Sequence, residues 1–408
     1  MSNDWTDERL ARAALGSLLR FGAPAVLRLA AAVGPIEAWQ RLSAGQAGEA
    51  APPCGRGAGA ADPMQARPGG AAPAPWAASI TPQRVAAETE RAGLRFVIPG
   101  DDEWPERLDD LVRCFVNGMG GAPVGLWVGG PGHLARWSVE AVALVGARAA
   151  TRYGESVAMR LASDLAGAVG ETRRTIVSGG AFGIDAAGHR GALLVDGRTI
   201  GVFANGLDRP YPPGNAVLFK SLMAQGLVIS EMPPGAVPTR HGFLERNRLI
   251  AALSRGTVVV EAALRSGARN TASWAAELGR VLMAVPGPVT SAMSQTPHRL
   301  IRDGEAVLVA DAADVEALLS PVGQGDALPT LGPTRPEDAL MGDAVVVREA
   351  LPARGAVTLG EVALASGVPV QRCAEALHGL AAKGLAVLDE HGRWRLRRPN
   401  RDREEVAP

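Results

Sequence analysis

Two apolar runs that end at glycines and continue into helices place the strongest constraint on the fold of this chain. They read VALVGARAATRYG over Val142–Gly154 and VSGGAFGIDAAGHRGAL over Val177–Leu193. A strand that ends at glycines lets a polyanion approach the backbone. The N-terminus of the next helix then offers unpaired N–H groups and the positive end of its dipole. Because consecutive βα units place such turns at the same carboxyl edge of a sheet, the pair predicts a phosphate-holding site there.

The glycine spacing excludes the two commonest phosphate loops. Neither turn has the G-x-G-x-x-G spacing of a dinucleotide fold, and neither ends in the G-K-[ST] of a P-loop. The site is therefore expected to hold phosphates in a different way.

The region from residue 141 to residue 310 alternates short apolar strands with segments of helical length. Most of these strands are apolar on both faces, which is typical of buried parallel strands. The pattern predicts an α/β fold with a doubly wound parallel sheet. The predicted strands are Ala141–Val145, Thr175–Ser178, Thr199–Ala204, Leu227–Glu231, Thr257–Glu261, Val281–Val285 and Val307–Val309.

A chain of 408 residues favours two or three domains. Changes in composition mark the boundaries between them. Two linkers rich in glycine and proline are expected, and the first is predicted to be disordered. Three helices and a hairpin near the C-terminus match a winged helix-turn-helix. The predicted divisions are an N-terminal helical domain (1–42), an Ala/Gly/Pro linker (43–80), the sheet domain (81–320), a second linker (321–340), a winged-helix domain (341–398) and a polar tail (399–408).

Charge and cysteine content narrow the class of protein. The formal net charge is zero, which argues against a uniformly basic nucleic-acid binder but allows a local basic cleft. Lysine occurs only twice, so nearly all positive charge is arginine, which recognises phosphate in a planar, bidentate way. The three cysteines share no metal-type spacing, so neither a zinc site nor a disulfide framework is predicted. No apolar stretch approaches the length of a membrane span, and a soluble cytoplasmic protein is expected.

Candidate site residues follow the predicted strands. Arg148, in the loop that begins at Gly146, is placed to reach a phosphate oxygen. Ser178, Gly179 and Gly180 are candidates to supply a hydroxyl and backbone N–H groups. Gly183 would let the next helix begin close to the ligand, although a tight βα turn alone would also explain these residues.

Two later segments add charge and polar groups to the same edge. In FLERNRLIAALSRG, Arg246, Asn247 and Arg248 are predicted to form a basic helix N-terminus that grips phosphates. After the next strand, Ser266 and Gly267 are expected to form a loop. Asn270 or Thr271 is a candidate N-cap for the helix that follows.

Other side chains have more ordinary explanations. Asp185 and His189 lie four residues apart on one predicted helix, and orienting the turn and packing are favoured over catalysis for them. Phe182, Phe203 and Tyr211 are candidate base-stacking residues, but in a chain with 4% aromatic residues, core or turn packing is the favoured explanation.

The ordered motifs together resemble those of the DNA-processing protein A (DprA/Smf) family. They are VGARAATRYG, SGGAFGIDAAGHRGAL, DRPYPPGN, SEMPPG, RNRLIAALSRGTVVVEAALRSG, AVPGPVTS and HRLIRDGEAVLV. The resemblance implies an extended Rossmann-like fold that binds single-stranded DNA, forms a homodimer and helps to load the RecA recombinase during transformation or homologous recombination. It implies no catalytic reaction, no cofactor and no metal. The family's nucleotide-contacting positions carry over onto Arg148, Ser178–Gly180, Arg246, Asn247, Arg248, Ser266 and Gly267.

The chain departs from the family pattern at two places. Many relatives have a basic residue in SGLA-[RK]-GID where this chain has Phe182, so one phosphate contact is lost and a base-stacking residue is a candidate replacement. The SQTPHRLI segment lacks the Gly-Cys or Gly-Thr that usually precedes its Asn or His. Both changes bear on affinity rather than on fold.

Two other functions stay open at this point. One is a nucleotide-processing enzyme of a related Rossmann-like group, although AVPGPVTS lacks the P-G-G-x-G-T-x-x-E signature and its acid. The other is a transcription regulator in which the sheet senses a ligand and the winged helix reads a duplex.

Overall fold

The computed structural model describes residues 3–18, 24–44, 80–168, 173–320, 337 and 340–397. Nearly all of the two predicted linkers and the whole of the predicted polar tail lie outside these residues. The chain separates into two compact units, Met1–Asp326 and Ala327–Pro408.

Among its described residues, the first unit contains helices, strands and three 3₁₀ segments, at Glu106–Arg113, Pro213–Asn215 and Ala292–Ser294. The helices are α1 (Asp7–Leu18), α2 (Pro24–Val33), α3 (Pro35–Ser43), α4 (Pro82–Arg91), α5 (Leu134–Ser138), α6 (Arg152–Gly167), α7 (Ile184–Leu194), α8 (Ala216–Gln225), α9 (Arg240–Leu253), α10 (Gly267–Glu277), α11 (Gln295–Arg302) and α12 (Ala312–Leu319). The strands are β1 (Arg95–Val97), β2 (Phe115–Val116), β3 (Met119–Gly120), β4 (Leu126–Gly129), β5 (Ala141–Val145), β6 (Thr175–Ser178), β7 (Thr199–Phe203), β8 (Leu227–Ser230), β9 (Gly256–Val259), β10 (Val281–Ala284) and β11 (Val307–Leu308).

Within the described residues, nine of these strands form one sheet in the order β1-β4-β8-β7-β6-β5-β9-β10-β11. The strands from β5 to β11 pair in parallel, while β4 pairs antiparallel with both β8 and β1. All seven predicted strands are present, with their ends within two residues of the predicted positions. The predicted doubly wound parallel sheet is confirmed.

The order of the strands reverses direction at β5. The chain moves from β5 through β6, β7 and β8 to one side of the sheet, and β9, β10 and β11 extend it on the other. Ligands of doubly wound sheets bind at such a reversal, in the crevice beyond the carboxyl ends of the strands. The topology therefore selects the carboxyl ends of β5 and β9 as the place to look for a site.

Apolar side chains cover both faces of the sheet. One face carries α9, α10 and the first 3₁₀ segment, with Leu111, Leu249 and Trp274 in its core. The other face carries α6, α7 and α12, with Leu161 and Val315 among its buried residues. The strands between them are buried throughout, which explains their continuous apolar sequence.

The N-terminal helices belong to the same compact unit as the sheet. Arg9 of α1 pairs with Asp101 at 2.8 Å and donates to the carbonyl oxygen of Phe96 at 2.6 Å. These contacts tie the start of the chain to β1. No helix among the described residues is long and apolar enough to cross a membrane.

The second unit contains α13 (Asp343–Ala350), α14 (Leu359–Ser366), α15 (Val370–Ala382) and a hairpin of β12 (Ala386–Leu388) and β13 (Trp394–Leu396). Val347, Leu377 and Trp394 are buried in its core. Thr358 and Glu361 form a capping box at the start of α14. These elements match the predicted three helices and hairpin in order and position, and the winged-helix assignment stays a prediction.

Candidate functional site

A crevice of about 690 Å³ lies beyond the carboxyl ends of β5 and β9, where the strand order reverses. It is bounded by the loop after β5, the start of α7, α9, and the loop that leads from β9 into α10. Charged and polar side chains and glycines of this crevice are Gly146, Arg148, Asp185, Tyr211, Arg240, Arg246, Asn247, Arg265, Ser266, Gly267 and Thr271. Among the described lining residues, Asp185 is the one carboxylate.

The loop after β5 presents Arg148 to solvent and is shaped by a buried carboxylate. Gly146 and Arg148 both line the crevice, and Arg148 is exposed. Glu261, at the end of the neighbouring strand, accepts hydrogen bonds from the backbone N–H of Thr151 at 2.8 Å and from its hydroxyl at 2.7 Å. The backbone N–H of Ala147 donates to the Glu261 carbonyl at 2.6 Å. Glu261 thus fixes the loop that carries Arg148.

The loop after β6 contributes backbone more than side chains. Ser178 is buried, and its hydroxyl donates to the carbonyl oxygen of Leu144 at 2.5 Å. This hydroxyl therefore joins β6 to the neighbouring strand β5. Gly179 lines a smaller pocket beside the crevice, and Gly180 has a positive φ of 69°. Gly183 caps α7 with φ 73°, and a side chain there would collide with the carbonyl oxygen of Ala147. Only glycine allows α7 to begin against the Arg148 loop.

The helix that carries the RNR sequence begins earlier than predicted. Thr239 is its N-cap, accepting from the backbone N–H of Gly242 at 3.0 Å, and α9 begins at Arg240. The predicted basic helix N-terminus at Arg246 is therefore wrong. Because Arg246 lies in the second turn, its backbone N–H is not one of the unpaired groups of the helix end.

Arg246 is buried at the floor of the crevice and is held by main-chain oxygens. Its Nη1 donates to the carbonyl oxygen of Gly179 at 2.9 Å and also to that of Val202. A Cβ on Gly179 would lie 2.6 Å from Arg246 Nη2 and 2.7 Å from Asp185 Oδ2. The absence of a side chain at Gly179 therefore makes room for a cation and a carboxyl group behind the loop after β6.

Burial shifts the pKa of both groups. Desolvation, and secondarily the charge of Arg148, lowers the pKa of Arg246 to about 10, against a raising effect from Asp185. Burial raises the pKa of Asp185, while Arg246 opposes that shift. Both shifts reflect the low dielectric of the crevice floor.

The neighbours of Arg246 in the RNR sequence take different positions. Asn247 lines the crevice, and its amide nitrogen donates to Asn270 Oδ1 at 3.2 Å, which joins α9 to α10. Arg248 is buried on another side of the helix, where its Nη2 pairs with Glu231 Oε1 at 2.7 Å. The structure does not bring Arg248 to the crevice. Its guanidinium also donates to the carbonyl oxygen of Gly121, so it stabilises the fold at this position.

The start of α10 forms the opposite wall. Ser266 is the N-cap, and its hydroxyl accepts from the backbone N–H of Ala268 at 3.3 Å. Gly267 is exposed, with open space where a side chain would be. The predicted caps Asn270 and Thr271 are wrong, because the helix begins at Gly267 and both lie within it.

Three exposed arginines line the crevice without an ion-pair partner among the described residues. They are Arg148, Arg240 and Arg265. Arg148 lies over the ring of Phe243, with 4.7 Å from its guanidinium carbon to the ring centroid. By contrast, Arg269 in the same region pairs with Glu305 at 2.9 Å. Sequence reasoning missed Arg240, which an N-cap at Thr239 would have placed about two helical turns before Asn247 on the same face.

An aromatic pocket of about 100 Å³ adjoins the crevice. We give this name to the space lined by Phe182, Phe203, Tyr211 and Phe243, together with Arg148, Gly179, Ala181, Ala204, Asn205 and Pro212. The rings of Tyr211 and Phe243 are 5.7 Å apart. Of the predicted stacking candidates, Phe182 is the most exposed at 47%, whereas Phe203 is buried against Phe219. Phe243 was not predicted, although its spacing from Arg240 would have revealed it.

Comparison with known proteins assigns the chain to a family. Residues 95–320 match the model of the family described as DNA recombination-mediator protein A. A DNA processing protein DprA of Mycobacterium tuberculosis is 45% identical over 317 residues, which cover 76% of this chain and 78% of that protein.

One solved structure gives the same result, and a second is similar at a lower level. The X-ray structure of DNA processing protein A from Streptococcus pneumoniae has a TM-score of 0.52 and 35% identity, and covers 60% of this chain and 80% of that one. A structure of the Helicobacter pylori protein, described for its single-stranded DNA binding mode, is 26% identical with a TM-score of 0.47, and covers 55% of this chain and 95% of that one. With the family match spanning more than half of its residues, this chain belongs to the DNA recombination-mediator protein A (DprA/Smf) family.

Proposed function

We propose that the crevice binds single-stranded DNA and that the protein acts as a recombination mediator. The observation that carries this proposal is the set of three exposed arginines, Arg148, Arg240 and Arg265, that line one crevice without carboxylate partners among the described residues. Unpaired guanidinium groups in a concave site bind phosphates with a strong dependence on salt. A confined basic groove of this kind also fits a chain with a net charge of zero.

The aromatic pocket favours a single strand over a duplex. Bases can stack on rings such as Phe182, Tyr211 and Phe243 only when they are not already stacked and paired inside a helix. Arginines that follow the backbone and rings that hold bases are the two elements of sequence-tolerant strand binding. Arg148 and Phe243 line both the crevice and the aromatic pocket, which supports the proposal that one strand contacts both.

Partners and chemistry follow from the same assignment. We propose that the protein forms a homodimer, helps to load RecA onto the bound strand, and acts in the cytoplasm, where both DNA and recombinase are found. We further propose that it is not an enzyme and uses no cofactor or metal. Arg246 and Asp185 form the floor of the crevice, and both are engaged with the loop after β6 rather than directed at a reacting group.

The decisive experiment is fluorescence anisotropy with labelled oligo-dT, competed by unlabelled duplex of equal length at two salt concentrations. We expect tight binding that weakens with salt and poor competition by the duplex. Preference for the duplex would overturn the proposal in favour of a winged-helix regulator. Failure to bind DNA, combined with turnover of a nucleoside monophosphate, would restore the alternative of a nucleotide-processing enzyme.

A further inference from the structure

The loop that follows β9 is held by a segment from a later part of the chain. The backbone N–H of Ala262 donates to the carbonyl oxygen of Met293 at 2.7 Å, and the carbonyl oxygen of Ala262 accepts from the backbone N–H of Thr296 at 3.0 Å. Met293 lies in the third 3₁₀ segment, and Thr296 lies in the first turn of α11. These two bonds clamp the beginning of the loop that carries Arg265.

The side chain of Thr296 adds a third bond to this clamp. Its hydroxyl donates to the carbonyl oxygen of Ala263 at 2.8 Å, and the residue is 3% exposed. The same carbonyl oxygen accepts from the backbone N–H of Ser266 at 3.0 Å, which closes the turn that contains Arg265. A single oxygen atom therefore joins this turn to α11, and its bond to α11 depends on a hydroxyl group.

The hydroxyl belongs to a segment in which this chain departs from the family pattern. Thr296 lies in SQTPHRLI, two residues before His298, at the position of the glycine in the Gly-Cys or Gly-Thr of that pattern. Glycine has no hydroxyl, so the bond to Ala263 requires this departure. The unusual sequence therefore has a structural consequence at the loop after β9.

The direction of the turn matters because the guanidinium of Arg265 is not held by another charge. Arg265 is exposed and lines the crevice, and it has no ion-pair partner in the described part of the chain. A long side chain or a loop that becomes ordered only on binding lowers the affinity, because its conformational entropy is lost at that moment. A turn whose backbone is already fixed reduces this cost.

We propose that Thr296 is a positioning residue for strand binding, and that its hydroxyl holds the turn at Ala263 so that Arg265 is directed into the crevice. Thr296 is not among the described residues that line the crevice, so it acts through Arg265 and not by contact with the strand. This inference rests on the single-stranded DNA binding proposed above, in which Arg265 contacts a phosphate.

The test is the affinity for labelled oligo-dT of four full-length proteins, namely the unaltered chain, Thr296→Val, Arg265→Ala and the double variant. Thr296→Val keeps the shape of the side chain and removes the hydroxyl. When Arg265 is present, we expect this change to weaken binding roughly two- to tenfold, the scale of one hydrogen bond. When Arg265 is replaced by alanine, the same change should have no effect, because no guanidinium remains to be directed.

Two further variants complete the comparison. Thr296→Ser keeps the hydroxyl and is the matched control, with an affinity expected to equal that of the unaltered chain. Thr296→Gly removes the hydroxyl in a second way and should weaken binding over the same range. It takes the place of Thr296→Val if that variant does not fold.

Equal affinity of Thr296→Val and the unaltered chain would overturn the inference. The same loss with and without Arg265 would also overturn it, because Thr296 would then support the crevice only in a general structural way. If Arg265→Ala binds as tightly as the unaltered chain, Arg265 contacts no phosphate and Thr296 has nothing to position. Failure of the unaltered chain to bind any strand would refute the proposed function itself, before any variant is compared.

Discussion

The guanidinium carbon of Arg148 lies 4.7 Å from the centroid of the Phe243 ring, although the two residues come from different elements. Arg148 belongs to the loop after β5, and Phe243 to the first turn of α9. The face of the guanidinium is attracted to the ring, while its N–H groups at the edge stay available for a phosphate. This contact joins the arginine side of the proposed site to its aromatic side and helps to orient Arg148.

Replacing Arg148 should weaken DNA binding through one phosphate contact. In Arg148→Ala we expect lower affinity for all single-stranded sequences and a logarithmic salt slope reduced in magnitude by about 0.7, the value for one contact on a single strand. Titration of oligo-dT at several salt concentrations measures this slope.

Arg160→Ala provides the comparison for that experiment. Arg160 is exposed on α6, and its one ion-pair partner among the described residues is Asp164 in the same helix, so its removal should leave the slope unchanged. If Arg148→Ala and Arg160→Ala have equal slopes, Arg148 does not contact a phosphate.

Phe243 should contribute to binding in a way that salt does not affect. In Phe243→Leu we expect a loss of about 1–3 kcal/mol of binding free energy, which is the range for stacking of one base on an aromatic side chain. The salt slope should change little. Because Phe243 also orients Arg148, the double variant Arg148→Ala/Phe243→Leu should lose less than the sum of the two single losses. Strict additivity would show that the ring and the guanidinium act independently.

The sequence was sufficient to predict the sheet and the edge at which the site lies. Buried parallel strands are apolar on both faces, and glycines mark where they end, so Gly146 and Gly179 were found from local pattern alone. The directions of side chains within α9 were not predicted, because they depend on where that helix begins. Once Thr239 is the N-cap, Arg246 points inward and Arg248 points toward Glu231. Such pairings between distant parts of the chain leave no local signal.

Arg248 should matter for stability rather than for DNA binding. Its partner Glu231 is buried, so Arg248→Ala leaves an uncompensated buried carboxylate and should lower the free energy of unfolding by about 3–5 kcal/mol. Urea unfolding measures this loss. The double variant Arg248→Met/Glu231→Leu, which removes both charges, should recover most of it.

DNA affinity of Arg248→Ala, measured at a temperature where the variant is folded, tests the other half of this prediction. We expect it to equal that of the unaltered chain, because the Arg248 guanidinium lies away from the crevice lining. A folded variant with weakened binding would instead support the phosphate contact that the family pattern implies for Arg248.

His189 should make the stability of the first unit depend on pH. The ring is fully buried, with Nδ1 2.7 Å from Thr199 Oγ1. Desolvation, and then the charge of Arg246, lowers its pKa from an ordinary value of 6.5 to about 3. Between these values the unfolded chain binds a proton that the folded chain does not. The free energy of unfolding should therefore fall as pH decreases from 6.5 toward 3, by at most about 1.4 kcal/mol per pH unit from this group.

The comparison that isolates this effect is between the unaltered chain and His189→Gln, unfolded with urea at a series of pH values. The pH dependence of the unaltered chain alone is insufficient, because Asp185 also contributes to it. Burial raises the pKa of Asp185, so its protonation stabilises the folded chain as the pH falls over part of the same range. As the pH falls below 6.5, the unaltered chain should lose more of its free energy of unfolding than His189→Gln does. If the difference in free energy of unfolding stays constant across the series, His189 takes up its proton in the folded protein. Its buried position would then be open to water.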